Sequence, residues 1–235
     1  MLIVDKKMFL AGTAMAVAFL VVLFLMFMPL FGGLNAFEAS DRLFNSIAKG
    51  SSNYFEDLRA SAREHQGHRV ALDLPFKDEA GAARAAAMLS RAGAETEAHG
   101  TRLTAAGDLG LLAQTVLEDA ESMFHNRGAE VSSRYGYPEK QVLFDWWNML
   151  REARKSLETQ KNFAAAAFVH DITMRGVEVA YNFYGIEAQS AAREAGVLAF
   201  ALVFYVVYTL WWGYAILYMF NGFGLEMKAG AKKEV

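Results

Sequence analysis

The chain has 235 residues, 54% of them hydrophobic, a formal net charge of −3 and no cysteine. That hydrophobic share is too high for an ordinary soluble domain and too low for a polytopic transporter, so the apolar residues must be concentrated in a few segments. The absence of thiols excludes disulfides, thiolate nucleophiles, cysteine-ligated iron–sulfur clusters and C-x-x-C-H haem attachment.

Residues 1–7 form a short charged tail, and Met8 to Phe37 then run without a single charge. About 20 helical residues cross the hydrocarbon core at 1.5 Å each, so this run spans once, over residues 8–32. Lys6 and Lys7 before an apolar stretch also fit a cleaved signal peptide. The stretch is about twice the usual length, however, and Gly32 to Ala36 offers no small-x-small cleavage site, so an uncleaved signal anchor is expected. Gly12 and Ala16, with Ala14 and Ala18, repeat every four residues and mark this helix for close helix contact.

Residues 33–194 read as one extracytoplasmic α+β domain, mainly helical. Phe37, Phe44, Ile47, Tyr54 and Leu58 recur at helical spacing as a stalk, broken at Gly50-Ser51-Ser52 and restarted by an Asn53/Glu56 capping pair, which ends near His65 to His68. Val70 to Leu74 alternates as a strand, and Asp78 to Ala92 is an Ala-rich helix. Glu95–Ala98 and Thr101–Thr104 make a hairpin around His99-Gly100, and Asp108 caps a helix with its apolar face at Leu109, Leu112, Val116, Ala120 and Phe124. The order β-α-β-β-α predicts a small split α/β cap.

The rest of the domain is helix. Pro138 opens one with the stripe Leu143, Trp146, Leu150, Ala153 and Leu157. The next, from Phe163 to Tyr184, carries one apolar stripe at Phe163, Ala167, His170, Met174, Val177, Tyr181 and Tyr184, and a second at Phe168, Ile172, Val179 and Phe183. It is expected to be packed on most sides, with His170 in its core-facing stripe.

Ala195 to Leu225 again lacks charge over 31 positions, which places the second membrane helix at 195–222 and a tail at 223–235. Ala195, Ala199 and Gly213 supply small residues, and Tyr208 and Trp211 stand among aromatic residues that extend through mid-span rather than keeping to the interfaces. The tails carry Lys6, Lys7, Lys228, Lys232 and Lys233 against Asp5, Glu226 and Glu234, a net of +2. Removing them from the totals leaves 18 basic and 23 acidic residues, net −5, between the helices. Both tails are therefore expected in the cytoplasm of a bacterial cell, the helices in its inner membrane and the domain in the periplasm.

No motif assembles a reaction. His65 and His68 have metal-ligand spacing, but Gly67 between them breaks the helix that this geometry needs. Glu118-Asp119 reads as a solvated helical face, and Gly107-Asp108-Leu109-Gly110 as a helix cap rather than a phosphate loop. Neither membrane run contains a histidine to ligate haem. The aromatic residues carry more: Trp146, Trp147, His170, Tyr181 and Tyr184 are the candidates for a ligand pocket or an interface, with Trp147 turned away from its helix's stripe.

The function expected from these features is a non-catalytic accessory or scaffold subunit of an inner-membrane complex, without cofactor. Its partners would be the bilayer, other membrane subunits or a second copy, and a periplasmic protein; an acidic domain without a basic patch argues against nucleic acid. An extracytoplasmic ligand sensor signalling through a membrane partner is the alternative, and a metal-dependent periplasmic enzyme the third.

Overall fold

The computed structural model describes residues 3–225, so Glu226, Lys228, Lys232, Lys233 and Glu234 of the orientation argument lie outside the described residues. The chain divides into two compact units, one made of residues up to 47 with those from 189 onward, the other of residues 48–188. Two helices of the first unit, α1 (Lys6–Phe27) and α10 (Ala195–Gly222), are long and apolar enough to cross a membrane.

Asp5 caps α1, its carboxylate accepting from the N–H groups of Lys7 and Met8. The helix ends at Phe27, short of the expected residue 32, because Pro29 forces Met28 into extended backbone (ψ 150°). A reciprocal capping box then opens α2 (Ala36–Ser51): Glu38 N–H donates to the Asn35 side chain at 2.9 Å, and Asn35 N–H to the Glu38 carboxylate at 3.0 Å.

α1 and α10 pack along their length through small residues and shared hydrogen bonds. A Cβ on Gly12 would lie 2.6 Å from Met219 N and 2.8 Å from Ala215 O, and one on Gly222 would strike Phe9, so glycine is what lets the backbones approach. The Tyr208 hydroxyl donates to Phe19 O and the Trp211 indole to Met15 O, both at 3.1 Å. Phe19 also stacks on the Tyr208 ring with centroids 4.0 Å apart. Ala16 is half-buried. Ala195 and Ala199 are exposed, and no atom stands within 4 Å of the space a Gly213 side chain would fill. The helix contact is thus made by the Gly12, Tyr208, Trp211 and Gly222 side of the pair.

In the second unit, α3 (Phe55–Glu64) buries Phe55, Leu58 and Ala62. Asn53 accepts from Phe55 N–H at 3.3 Å, but Tyr54, not Asn53, precedes the helix. β1 (Arg69–Pro75), β2 (Glu95–His99) and β3 (Arg102–Asp108) form an antiparallel sheet in the order β1-β3-β2. Val70, Leu72 and Leu74 alternate inward along β1. α7 (Glu139–Thr159) lies against β1, and α4 (Glu79–Arg91) against β2 and β3. The hairpin turns at Gly100-Thr101, one residue later than expected, with Gly100 at φ +60°. The charged Glu95 and Glu97 on edge strand β2 discourage pairing with another chain.

α5 (Leu109–Phe124) is the centre, buried around most of its circumference by α3, α6 (Gly128–Tyr135), α7 and β3. Helix α6 was not foreseen. Asp108 caps α5, accepting from Leu111 N–H at 2.9 Å, and its other oxygen takes Gly67 N–H. The expected helix over 163–184 is instead α8 (Phe163–Asp171), a π-helical segment (Ile172–Val177) and α9 (Glu178–Phe183). Its buried side is Ala165, Ala166, Phe168, Val169, Ile172, Thr173, Val177 and Ala180. The stripe of Phe163, Ala167, His170, Met174 and Tyr181 faces outward, reversing the expectation that placed His170 toward the core. Two apolar stripes cannot both be covered by one neighbouring layer, and the small Ala165 and Ala166 allow the closer approach.

The ends of this domain are held by one side chain. Lys49 is 3% exposed, and its ammonium donates to Phe183 O (3.1 Å), Ile186 O (2.5 Å) and Asn126 Oδ1 (3.2 Å), with the Phe124 ring 5.0 Å away. Burial lowers its pKa, and nearby Glu187 opposes that shift. Asn126, at φ 60°, completes the node by accepting from Gly185 N–H and donating to Ile186 O and Glu187. Lys49→Met would keep the stem's packing but remove three charge-assisted hydrogen bonds, leaving Phe183 O and Ile186 O with one weaker donor each. It is expected to lower stability by about 2–3 kcal/mol in urea unfolding of the detergent-solubilised chain; an unchanged midpoint would refute the clamp.

Candidate functional site

Trp146 and Trp147 are adjacent on α7 and have opposite fates. Trp146 is 1% exposed, and its indole donates to Asp119 at 2.8 Å. Asp119, on α5, is fully buried rather than solvated, and also accepts from Tyr135 (2.5 Å) and from Arg134. Burial holds the Asp119 carboxyl above the usual range, opposed by those hydrogen bonds and the Arg134 guanidinium, while burial and the adjacent carboxylate push the Tyr135 phenol well up. Every member is satisfied, so this is a structural anchor joining α5, α6 and α7. The space beside Trp146 is a void of about 40 Å³ lined by apolar residues such as Leu72, Leu112 and Phe168, which is core and not a ligand pocket.

Trp147 looks outward. With Phe144 from α7, and Glu178, Tyr181 and Asn182 from α9, it lines a groove of about 350 Å³ whose remaining lining is Leu143 and Val177. Phe144 is 46% and Tyr181 41% exposed. The Trp147 ring lies near-parallel to Phe144 (centroids 6.0 Å apart, planes at 19°), and its indole donates to Glu178 Oε1 at 2.7 Å. Arg151 places its guanidinium 4.4 Å from the centre of the same indole.

The helix supplying the far wall is widened where it reaches the groove. The Glu178 N–H bonds to Thr173 O, five residues back, and Gly176 within the widened turn lets Leu117 and Leu58 approach to 3.2 and 3.5 Å of where its Cβ would stand. Arg175 is turned onto the Tyr54 ring at 4.6 Å, leaving Glu178 as the only charged residue in the groove lining.

The other candidates lie apart from this groove. His170 is exposed, its Nδ1 3.3 Å from Arg154 Nη1. The Tyr184 hydroxyl donates to Glu139 at 3.0 Å and is packed on Gly128, where an added Cβ would lie 2.3 Å from it. His65 stacks on Phe168 with centroids 3.9 Å apart and its Nδ1 lies 2.9 Å from Ser61 O; His68 is exposed beyond the helix end. Among the described residues no three His, Asp or Glu side chains converge as a metal site. Trp147 and Tyr181 are therefore the two predicted residues that the fold brings together. Phe144, Glu178, Asn182 and Arg151 were missed; the signal for them was their helical spacing from Trp147 and Tyr181.

Replacing the two tryptophans separates anchor from groove. Trp146→Ala is expected to cost about 3–5 kcal/mol in urea unfolding, from lost packing and the loss of one of the hydrogen bonds to the buried Asp119, whereas Trp147→Ala should cost less than half as much. Equal losses would contradict the division.

Comparison of the chain with known protein families, with curated proteins and with solved structures found no match.

Proposed function

We propose that the chain is a non-catalytic accessory or scaffold subunit of a bacterial inner-membrane complex, with both termini in the cytoplasm and the domain of residues 48–188 in the periplasm, where it recruits or positions a partner. The observation that carries this reading is the division of labour among the polar aromatics of α10. Tyr208 and Trp211 are satisfied by α1. Tyr205, Trp212 and Tyr214 flank that contact, 67%, 39% and 53% exposed, Trp212 with its ring centroid 4.7 Å from that of Phe19, and their O–H and N–H groups bond to nothing among the described residues. The central ~20 residues of a 28-residue helix include all three. A donor in hydrocarbon without an acceptor is costly, so these positions favour a neighbouring membrane helix over lipid. Beside them, Ala14, Met15 and Ala18 of α1 and Val207, Leu210, Trp211 and Tyr214 of α10 line a cleft of about 620 Å³ with small residues at its base.

The net −5 between the helices and the basic tails support the orientation. An acidic domain would be steered to a basic partner. The sensor reading draws its support from the aromatic groove alone.

Photo-crosslinkers at Tyr205 and Tyr214 in native membranes are expected to trap the same membrane protein or a second copy, while one at Tyr208 traps α1 of its own chain. Products from Tyr205 and Tyr214 that contain lipid only would overturn the subunit reading. A reporter active only in the periplasm should work when inserted near Gly100 and fail when fused after Val235; the reverse result would invert the orientation.

A further inference from the structure

We infer that the groove between α7 and α9 is a binding site for an organic cation, a quaternary ammonium or guanidinium group. Its chemistry is specific to that class. Phe144, Trp147 and Tyr181 present aromatic surface, and Glu178 is the only charged residue lining it. Aromatic faces attract cations through the ring quadrupole, and a carboxylate at the rim supplies the net charge that a cation needs when it leaves water. The Glu178 carboxylate is held by the Trp147 indole N–H through Oε1, leaving Oε2 without a partner among the described residues. The widened turn ending in the Glu178-to-Thr173 bond sets this side chain toward α7.

The protein already demonstrates the preference with its own residue. Arg151 has no carboxylate within 4 Å among the described residues, and its guanidinium lies instead over the Trp147 ring at 4.4 Å. That indole is thus a cation-binding surface, and Arg151 opposes an incoming cation by like charge. An anion would find Arg151 attractive but Glu178 and the π faces repulsive. A neutral apolar ligand would leave the carboxylate unused. The inference does not depend on the accessory-subunit role, and it leaves two sources for the cation, a free small molecule or an arginine side chain of a partner protein.

The test uses the full chain in a maltoside detergent with 5-fluorotryptophan at its four tryptophans, the Trp147 signal being assigned by its loss in Trp147→Phe. Choline, its neutral isostere 3,3-dimethyl-1-butanol and N-acetyl-arginine amide are titrated at constant ionic strength. Choline or the arginine derivative is expected to shift the Trp147 signal saturably, leaving Trp146 unmoved, and to bind about tenfold more tightly than the neutral alcohol. The tighter of the two cations points to its source. Glu178→Gln keeps an acceptor for the indole but removes the charge, and should weaken cation binding about tenfold; Arg151→Gln should strengthen it severalfold. Equal response to choline and the alcohol, no response to either cation, or indifference to Glu178→Gln would overturn the proposal. Weaker cation binding in Arg151→Gln would overturn it too, because removing a competing like charge cannot weaken a cation held by Glu178 and the rings.

Discussion

A buried ammonium with no carboxylate bonded to it is an expensive thing to fold around, and the domain is organised to make it tolerable. Lys49 follows closely on the domain's first residue, and two of its acceptors, Phe183 O and Ile186 O, belong to its last segment. The third, Asn126, stands at the end of α5, held in a left-handed conformation that aims its amide both ways. Three dipoles and the face of Phe124 replace the hydration shell of the cation. The incoming and outgoing strands of chain are consequently fastened to each other and to the central helix at one point. A domain with a long apolar helix on each side in sequence needs that constraint, since otherwise either end could fray without disturbing the core.

From that fixed end the polar interior continues along α5 to Asp119. The Asp119 cluster differs from the Lys49 node in that its charge has a partner, Arg134, and two neutral donors as well. Breaking either leaves a buried group unpaired, which is the costly direction for such networks. Because Trp146 is tied inward by this bond, its neighbour Trp147 has to leave the helix on a different side, about 100° round. The groove is thus a by-product of the anchor: the same helix that closes the core turns Phe144 and Trp147 toward α9. The widened turn before Glu178 completes it from the other side.

The membrane pair obeys the same accounting of donors under a harsher solvent. Gly12 and Gly222 let the backbones meet, and Tyr208 and Trp211 reach main-chain oxygens across the contact. In hydrocarbon no water would be available to satisfy the aromatic donors on the two flanks of α10. The helix therefore has one face finished by this chain, and on the proposed reading the polar groups on its flanks are met by another helix.

The two helices long and apolar enough to cross a membrane, the strand and helix order of the cap and the central stripe of α5 were legible in the sequence, because each is a local matter of hydropathy, periodicity or capping. Charge-free runs need no context to mark a membrane helix, and Asp108 before Leu109 and Leu112 announces a cap and a buried face within four residues. What resisted reading was every choice between equivalent alternatives. Periodicity gave the helix after Phe163 two apolar stripes with nothing to rank them, and the tertiary fold buried Phe168 and Ile172 of the second, with Ala165 and Ala166 beside them, turning His170 to solvent. It equally could not say that Asp119 is buried while Glu118 is exposed, that Lys49 is enclosed, or that a helix would widen by one residue before Glu178. The enclosure of Lys49 depends on Asn126 and Ile186, 77 and 137 residues away in sequence, and that of Asp119 on Arg134 and Trp146, 15 and 27 residues on, and a local pattern carries no information about which distant partner arrives. The groove belongs to this second kind: its aromatic residues were visible, but only the packing of α7 against α9 decided that Trp147 and Tyr181 meet over a carboxylate.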